Sequence, residues 1–273
     1  MYIFFDVKTL RICNPFDAPV YNEETVSSTM EVIRDLAAQN QPHGTVIAAD
    51  FQEAGRGRLN RSWVMDRGKN LMFSILLRYP AIPCIPAALT LKTGLAVSLA
   101  VEDIAPALQG RVMVKWPNDV MICRPEGLAA KAAGILTEGD GKNVYIGVGV
   151  NVAQEEFPQA HRWKAGSIIQ AVPALPENAR VLLLEKILAR LYAEIETPSP
   201  APPCPAASWH QRLSQRLYKK GEQVVFAAGA ADSSSLVEGT LSGIGSGGEL
   251  IIVPNGGTVE QAFLAGELRV YPQ

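Results

Sequence analysis

The run Gly55-Arg56-Gly57-Arg58-Leu59-Asn60-Arg61-Ser62-Trp63 constrains this chain more than any other stretch. Two glycines and three arginines crowd into residues 55–61. Like charges repel and little here can be buried, so the segment joins no core. It must connect elements that do. The flanking runs Thr45-Val46-Ile47-Ala48-Ala49 and Leu71 to Leu77 are apolar and read as buried strands. A charged, glycine-rich connection there is a solvated turn or a ligand loop. Guanidinium forks suit phosphate, and Trp63 offers a flat face to a base or an apolar ring. Ordering seven residues costs roughly 7–14 kcal/mol, which an anionic ligand could offset. The loop is therefore expected to close over a phosphorylated compound.

At 273 residues, 48% apolar and 19% charged, the chain has room for a substantial core and for two domains. Twenty-five basic residues against 27 acidic ones leave no global basic field for nonspecific nucleic-acid binding. Cys13, Cys84, Cys123 and Cys204 have neither zinc nor redox spacing and read as free thiols in a reducing compartment. The apolar start Met1 to Phe5 lacks a basic flank and is too short for a signal peptide. No stretch reads as long and apolar enough to span a bilayer, so a cytoplasmic protein without a membrane partner is expected.

Ser28-Thr29-Met30-Glu31 has the capping-box pattern and predicts a helix to about Asn40. Thr90 to Leu108 and Val181 to Glu196 read as further helices. Val112 to Trp116, Val120 to Cys123, Ala132 to Thr137 and Val144 to Val152 read as strands. The proline-rich stretch 197–205 reads as a semi-rigid linker. A short helical piece, Trp209 to Leu217, and strands at Val224 to Ala227, Leu236 to Leu241, Glu249 to Val253 and Leu268 to Tyr271 follow it. Four or five short strands in about 55 residues suggest a small β-barrel. Helices mixed with consecutive strands make the larger part α+β. Gly243 to Gly248 satisfies G-x-G-x-x-G literally, but no helix pattern follows, and a hairpin turn is the better reading.

Three more segments carry chemistry. Lys115-Trp116-Pro117-Asn118-Asp119 interrupts an apolar hairpin. Its Asn and Asp are ordinary turn residues, yet a lysine and an aspartate at a sheet mouth also suit phosphate, a divalent cation or a nucleophile's proton. Lys131 opens the apolar run Ala132 to Leu136, where a strand is expected to start. Gly147-Val148-Gly149-Val150-Asn151 alternates glycine within a strand, which marks close approach of a ligand or of backbone.

GRGRLNRSW, KWPND, KAAGIL and GVGVN, in that order, resemble the motifs of biotin protein ligases. The resemblance extends to Ser28, Thr29 and Gln52 and covers roughly residues 20 to 273. It implies a mixed-sheet, class II synthetase-like catalytic domain over 1–200 and an SH3-like β-barrel over 215–273. It also implies that biotin and Mg-ATP form biotinyl-5′-AMP and that biotin then passes to a lysine of a biotin carboxyl carrier domain. Ser28, Thr29, Gln52, Gly55, Arg56, Gly134, Gly147 and Gly149 would line the biotin site. Arg56, Arg58, Arg61, Trp63, Asn118 and Asn151 would meet ATP or the adenylate. Lys131 would serve both ligands. Arg58, Lys131 and Asp119 would be catalytic, with Asp119 a candidate Mg²⁺ ligand.

Met30 replaces the asparagine that usually follows Ser-Thr in the family, which removes a polar group near biotin. The segment from Asp119 to Lys131 is long and predicts an extended hairpin tip at Arg124 to Gly127. Roughly 25 residues precede Ser28, too few for a helix-turn-helix domain, so DNA is not an expected partner. Many relatives dimerise through the large sheet; the sequence leaves a homodimer open, as it does the role of residues 1–18 beyond a covering strand. A lipoate or octanoate ligase or transferase of the same fold, and a catalytically silent biotin-binding regulator, are the alternative functions.

Overall fold

The computed structural model describes residues 8–58, 61–63, 65–124, 129–158, 165–196, 208–229 and 235–269. Among these, eight strands form the larger sheet: β1 (Lys8–Thr9), β2 (Val20–Glu23), β3 (Val46–Ala49), β4 (Leu71–Arg78), β5 (Val112–Lys115), β6 (Asp119–Cys123), β7 (Ala129–Gly139) and β8 (Asn143–Val150). Their spatial order is β1-β2-β3-β4-β8-β7-β6-β5. Only β2 and β3 run parallel, so the sheet is mixed. The four helices are α1 (Thr29–Ala38), α2 (Leu89–Ile104), α3 (Ala179–Ile195) and α4 (Trp209–Gln215).

Strand alternation sorts the residues between two faces. Leu71, Phe73, Ile75 and Leu77 of β4 join Ile146, Val148 and Val150 of β8 under α2 and α3. On the opposite face, Met30, Ile33 and Leu36 of α1 pack on Ile47, Leu76 and Tyr145. The strands read as continuous apolar runs because both faces are covered there. Helix α1 covers only part of its face, and the candidate site occupies the rest.

Several boundaries differ from expectation. The long helix stops at Ile104, and a short 3-10 turn covers Pro106–Leu108. Proline disfavours helical geometry in the residue before it, and Ala105 has left the helix. The capping box of α1 does not form, although Ser28 still caps the helix. Ser28 accepts from the Met30 amide at 3.3 Å, but the Glu31 carboxylate turns away to Ser27 Oγ and Arg56. Strand β7 starts at Ala129, so Lys131 lies within it and not at its start. Contrary to expectation, Ile82–Ile104 is long and apolar enough, on length and composition alone, to cross a bilayer. Its Leu95, Ala96, Val97, Ala100 and Val101 are buried in protein cores.

The second sheet contains β9 (Gln223–Ala228), β10 (Ser235–Ile244), β11 (Leu250–Pro254), β12 (Gln261–Phe263) and β13 (Gly266–Arg269). Its order is β12-β11-β10-β9-β13, antiparallel throughout. Strand β12 was not expected: its first two residues are exposed, so it lacks an apolar signal. The glycine-rich segment 243–248 is the β10–β11 hairpin, closed by Gly245 N–H to Glu249 O at 2.8 Å. The expected hairpin tip at 125–127, the proline-rich linker at 197–205 with Cys204, and Tyr271 lie outside the described residues. Cys13, Cys84 and Cys123 are free thiols, and β1 is an edge strand on β2.

The two sheets share a core. Phe226, Leu241, Leu250 and Leu268 pack with Leu91 and Leu95 of α2, Trp116, Leu213 and Leu217. The Trp116 indole also donates to Gly248 O at 3.0 Å. Residues 216–218 run beside β5 through Val114 N–H to Arg216 O and Tyr218 N–H to Val114 O. The Arg216 guanidinium grips the buried Glu102 carboxylate with bonds of 2.6 and 2.8 Å. Removing one member of such a pair strands a buried charge. Arg216→Met should lower stability by roughly 3–5 kcal/mol, read from the urea midpoint. A loss under about 1 kcal/mol would show that the pair behaves as a surface salt bridge.

Candidate functional site

One cross-strand row organises the site. Met72 on β4 faces Gly149 on β8, Gly149 faces Gly134 on β7, Gly134 faces Asp119 on β6, and Asp119 faces Lys115 on β5. A second row, two residues along, pairs Ser74 with Gly147 and Gly147 with Leu136. The rows lie roughly 7 Å apart. Glycine in these rows leaves a shallow floor. A Cβ on Gly149 would stand 2.8 Å from the Trp63 ring, and one on Gly147 would stand 2.9 Å from Met30 Sδ. No other residue type fits either contact without displacement.

The Gly147 end is polar and preset. Ser74 Oγ donates to Thr29 Oγ1 at 2.9 Å. Gln52 Oε1 accepts from Thr29 N–H at 2.7 Å and from Thr29 Oγ1 at 3.0 Å. The α1 cap thereby holds Ser28, Thr29 and Gln52 together. The Met30 thioether fills the space above Gly147.

The Asp119 end is cationic. Asp119 meets Lys131 Nζ at 2.6 Å and Lys115 Nζ at 3.4 Å. Burial alone would raise the Asp119 pKa; the charges of Lys131 and Lys115 and their hydrogen bonds outweigh it and hold the carboxyl below its usual range. Burial pushes the Lys115 ammonium down, and Asp119 opposes that push. Asn118 is pinned to β7 by Ile135 N–H to its carbonyl and by its own amide to Ile135 O, both 2.9 Å. Its free oxygen accepts from Arg58 at 3.0 Å. Lys115 and Lys131 thus flank a single carboxylate, with Arg58 held on the neighbouring Asn118, an arrangement suited to a polyanion. A metal held by the protein fits poorly. Asp119 is taken by two ammoniums, and no cluster of three metal-ligating side chains occurs among the described residues.

All three loop arginines have protein partners. Arg56 pairs with Glu31, Arg58 with Asn118, and Arg61 with Glu267 through bonds of 3.0 and 2.9 Å. These contacts tie the described part of the loop to α1, to the β5–β6 turn and to β13. Its backbone folds on itself through Trp63 N–H to Gly55 O and Gly57 N–H to Arg61 O. Neither Gly55 nor Gly57 adopts a left-handed backbone. Gly55 is instead a close approach, where a Cβ would stand 3.2 Å from Gln52 Nε2. The Trp63 ring lies on the glycine floor, 5.6 Å from Lys131 Nζ.

Two buried polar atoms here have no hydrogen-bond partner among the described residues: Trp63 Nε1 and Asn151 Oδ1. The Asn151 amide is fixed by Gly166 O at 3.1 Å, which leaves the oxygen as a preset acceptor.

The expected site residues therefore converge on one sheet face, with two exceptions. Arg56 and Arg61 point to acidic partners outside the glycine floor. Ser74, Glu31 and Glu267 were not legible in the sequence. Ser74 is one polar residue in a buried strand. Glu267 acts 206 positions from its partner.

Asp119→Asn would leave the two ammoniums facing without a carboxylate between them, at a cost of roughly 3–5 kcal/mol at pH 7. A carboxyl whose folded pKa is depressed contributes stability above its unfolded pKa, about 3.9, and loses it as pH falls through the lower folded value. The stability gap between wild type and variant, from urea titrations at pH 7 and pH 3, should narrow at the lower pH. A gap independent of pH would overturn the assignment.

A model of the biotin/lipoate A/B protein ligase family matches residues 23–151. The biotin–[acetyl-CoA-carboxylase] ligase of Paracoccus denitrificans is 31% identical over 205 residues, covering 71% of this chain and 79% of that protein. The bifunctional ligase/repressor BirA of Bacillus spizizenii is 36% identical over 168 residues, covering 59% of this chain and 49% of its own. The chain thus spans about half the length of such BirA relatives. The solved structure of the biotin protein ligase from Aquifex aeolicus in complex with biotin and ATP superposes with a TM-score of 0.69 at 27% identity, covering 92% of this chain and 97% of that one. Sequence, fold and motif order agree: this chain belongs to the biotin protein ligase family.

Proposed function

We infer that this chain is an ATP-dependent ligase that activates biotin as biotinyl-5′-AMP and transfers it to a lysine of a biotin carboxyl carrier domain. The observation that carries this reading is the continuous floor between two unlike ends. A polar end, Ser74–Thr29–Gln52, suits a ring with both amide donors and a carbonyl acceptor. A cationic end, Lys131–Asp119–Lys115 with Arg58, suits a carboxylate beside phosphate. The ligands named for the Aquifex aeolicus structure, biotin and ATP, have these chemistries.

In the first step a biotin carboxylate oxygen bonds to the α-phosphorus, and the bond to the bridging oxygen breaks with loss of pyrophosphate. Lys131 and Arg58 lower the repulsion between the two anions. Asn151 Oδ1 and the Trp63 indole, both without hydrogen-bond partners among the described residues, would meet the base and sugar region. In the second step the acceptor amine attacks the acyl carbon and AMP leaves. Asp119 stays anionic at neutral pH, which suits orienting that amine more than taking its proton. Mg²⁺ would be carried by the triphosphate, since no cage of three metal-ligating side chains occurs among the described residues. The five-stranded unit, with Phe226 and Leu268 inside, fits an SH3-like barrel behind a class II synthetase-like sheet.

Lys131→Ala should cut biotin-dependent pyrophosphate release by about 100-fold or more, equivalent to at least ~2.7 kcal/mol of transition-state stabilisation. Pyrophosphate release at the wild-type rate would sink the role of Lys131. Wild-type protein that binds biotin without releasing pyrophosphate would instead indicate a silent binder. Activity with lipoate or octanoate in place of biotin would reassign the acid.

A further inference from the structure

Of the three clasps on the arginine loop, two stay within the larger sheet's unit. The third, Arg61 to Glu267, crosses to the smaller sheet. Its two parallel bonds, 3.0 and 2.9 Å, fix direction as well as distance. The two partners differ in how firmly they are held. Glu267 projects from β13, where its Cα faces Ala227 in the ladder and the next residue, Leu268, is fully buried against the Phe226 core. Arg61 lies on a tongue whose backbone bonds, among the described residues, join it to itself, such as Gly57 N–H to Arg61 O at 2.7 Å. Two residues later the same tongue lays the Trp63 ring on Gly149 and Gly134. Whatever fixes Arg61 therefore also fixes the cover over the glycine floor.

We propose that Glu267 is a positioning residue by which the C-terminal sheet holds the arginine loop closed, and so sets how long the acyl-adenylate is retained. The proposal rests on the ligase reading above and extends it to a residue far from the reacting atoms. Glu267 and Arg61 are 30% and 55% exposed at the side chain, so their bond can break and reform in water without stranding a buried charge. A clasp of that kind governs opening more than chemistry.

The test uses the full chain with Glu267→Gln, Arg61→Gln, and the charge swap Glu267→Arg with Arg61→Glu. Single-turnover pyrophosphate release reads adenylate formation, and a chase reads biotinyl-AMP dissociation. In Glu267→Gln formation should stay within about threefold of wild type, while dissociation should accelerate about fivefold in each single variant and slow again in the swap. Tryptic cleavage after Arg58 is a readout that needs no ligand, and it should accelerate about fivefold in Glu267→Gln. Dissociation and cleavage both at wild-type rates would overturn the clasp, as would a swap no slower than the single variants. A wild type that releases no pyrophosphate would count against the ligase reading alone, because cleavage still decides the clasp. Thermal unfolding checks each fold, and Arg61→Gln, on an exposed loop, carries the test if the Glu267 variant does not fold.

Discussion

The Asp119 carboxylate between two ammoniums is the interaction on which the rest of the site depends. It joins β5, β6 and β7, meeting Lys115 directly across the ladder and Lys131 from a neighbouring register position. Lys115 is almost wholly buried. An ammonium in that position is tolerable only beside a negative charge. The carboxylate in turn stays ionised only because two cations outweigh its burial. The lysine pair that suits a polyanion thus also belongs to the cluster that balances the sheet's own charges.

The glycines in the adjacent strands do the complementary work. A sheet carrying side chains at 134, 147 and 149 would have no open face beside Asp119. With glycine there, the face admits Met30 at one end and Trp63 at the other. The cost is a weaker pair of strands. It is offset by their neighbours on the other face, Ile135, Ile146, Val148 and Val150, which are buried in the main core. The arginine tongue, which lays Trp63 on this floor, has three side-chain anchors, and one of them belongs to the second sheet.

Much of this was legible in residue order. Apolar runs marked β3, β4, β6 and β8, and the 3.6-residue period marked α3. Charged motifs interrupting those runs marked the loop and the β5–β6 turn. Other features carried no local signal. The exposed strand β12 looks like loop because its side chains are not buried. The end of α2 was overrun because apolar content continues past Ala105, whereas backbone geometry before Pro106 does not. The acidic and amide partners of the loop arginines, Glu31, Asn118 and Glu267, also carry no local signal, because each lies on a distant segment.

Residue order alone determined which chemistries the chain can bring to a site: three arginines in a loop, two lysines and an aspartate near strand ends, and glycine at alternate positions. These follow from composition and spacing, which are local. Only the tertiary structure decided which partner each charge meets. Arg58 stays near Asn118 beside Asp119, whereas Arg56 and Arg61 are spent on Glu31 and Glu267. Strand register brings Gly134 beside both Gly149 and Asp119, and sheet packing brings residues 61 and 267 within hydrogen-bonding distance. Such pairings depend on how distant segments bury their apolar faces together, and no spacing within a single segment encodes them.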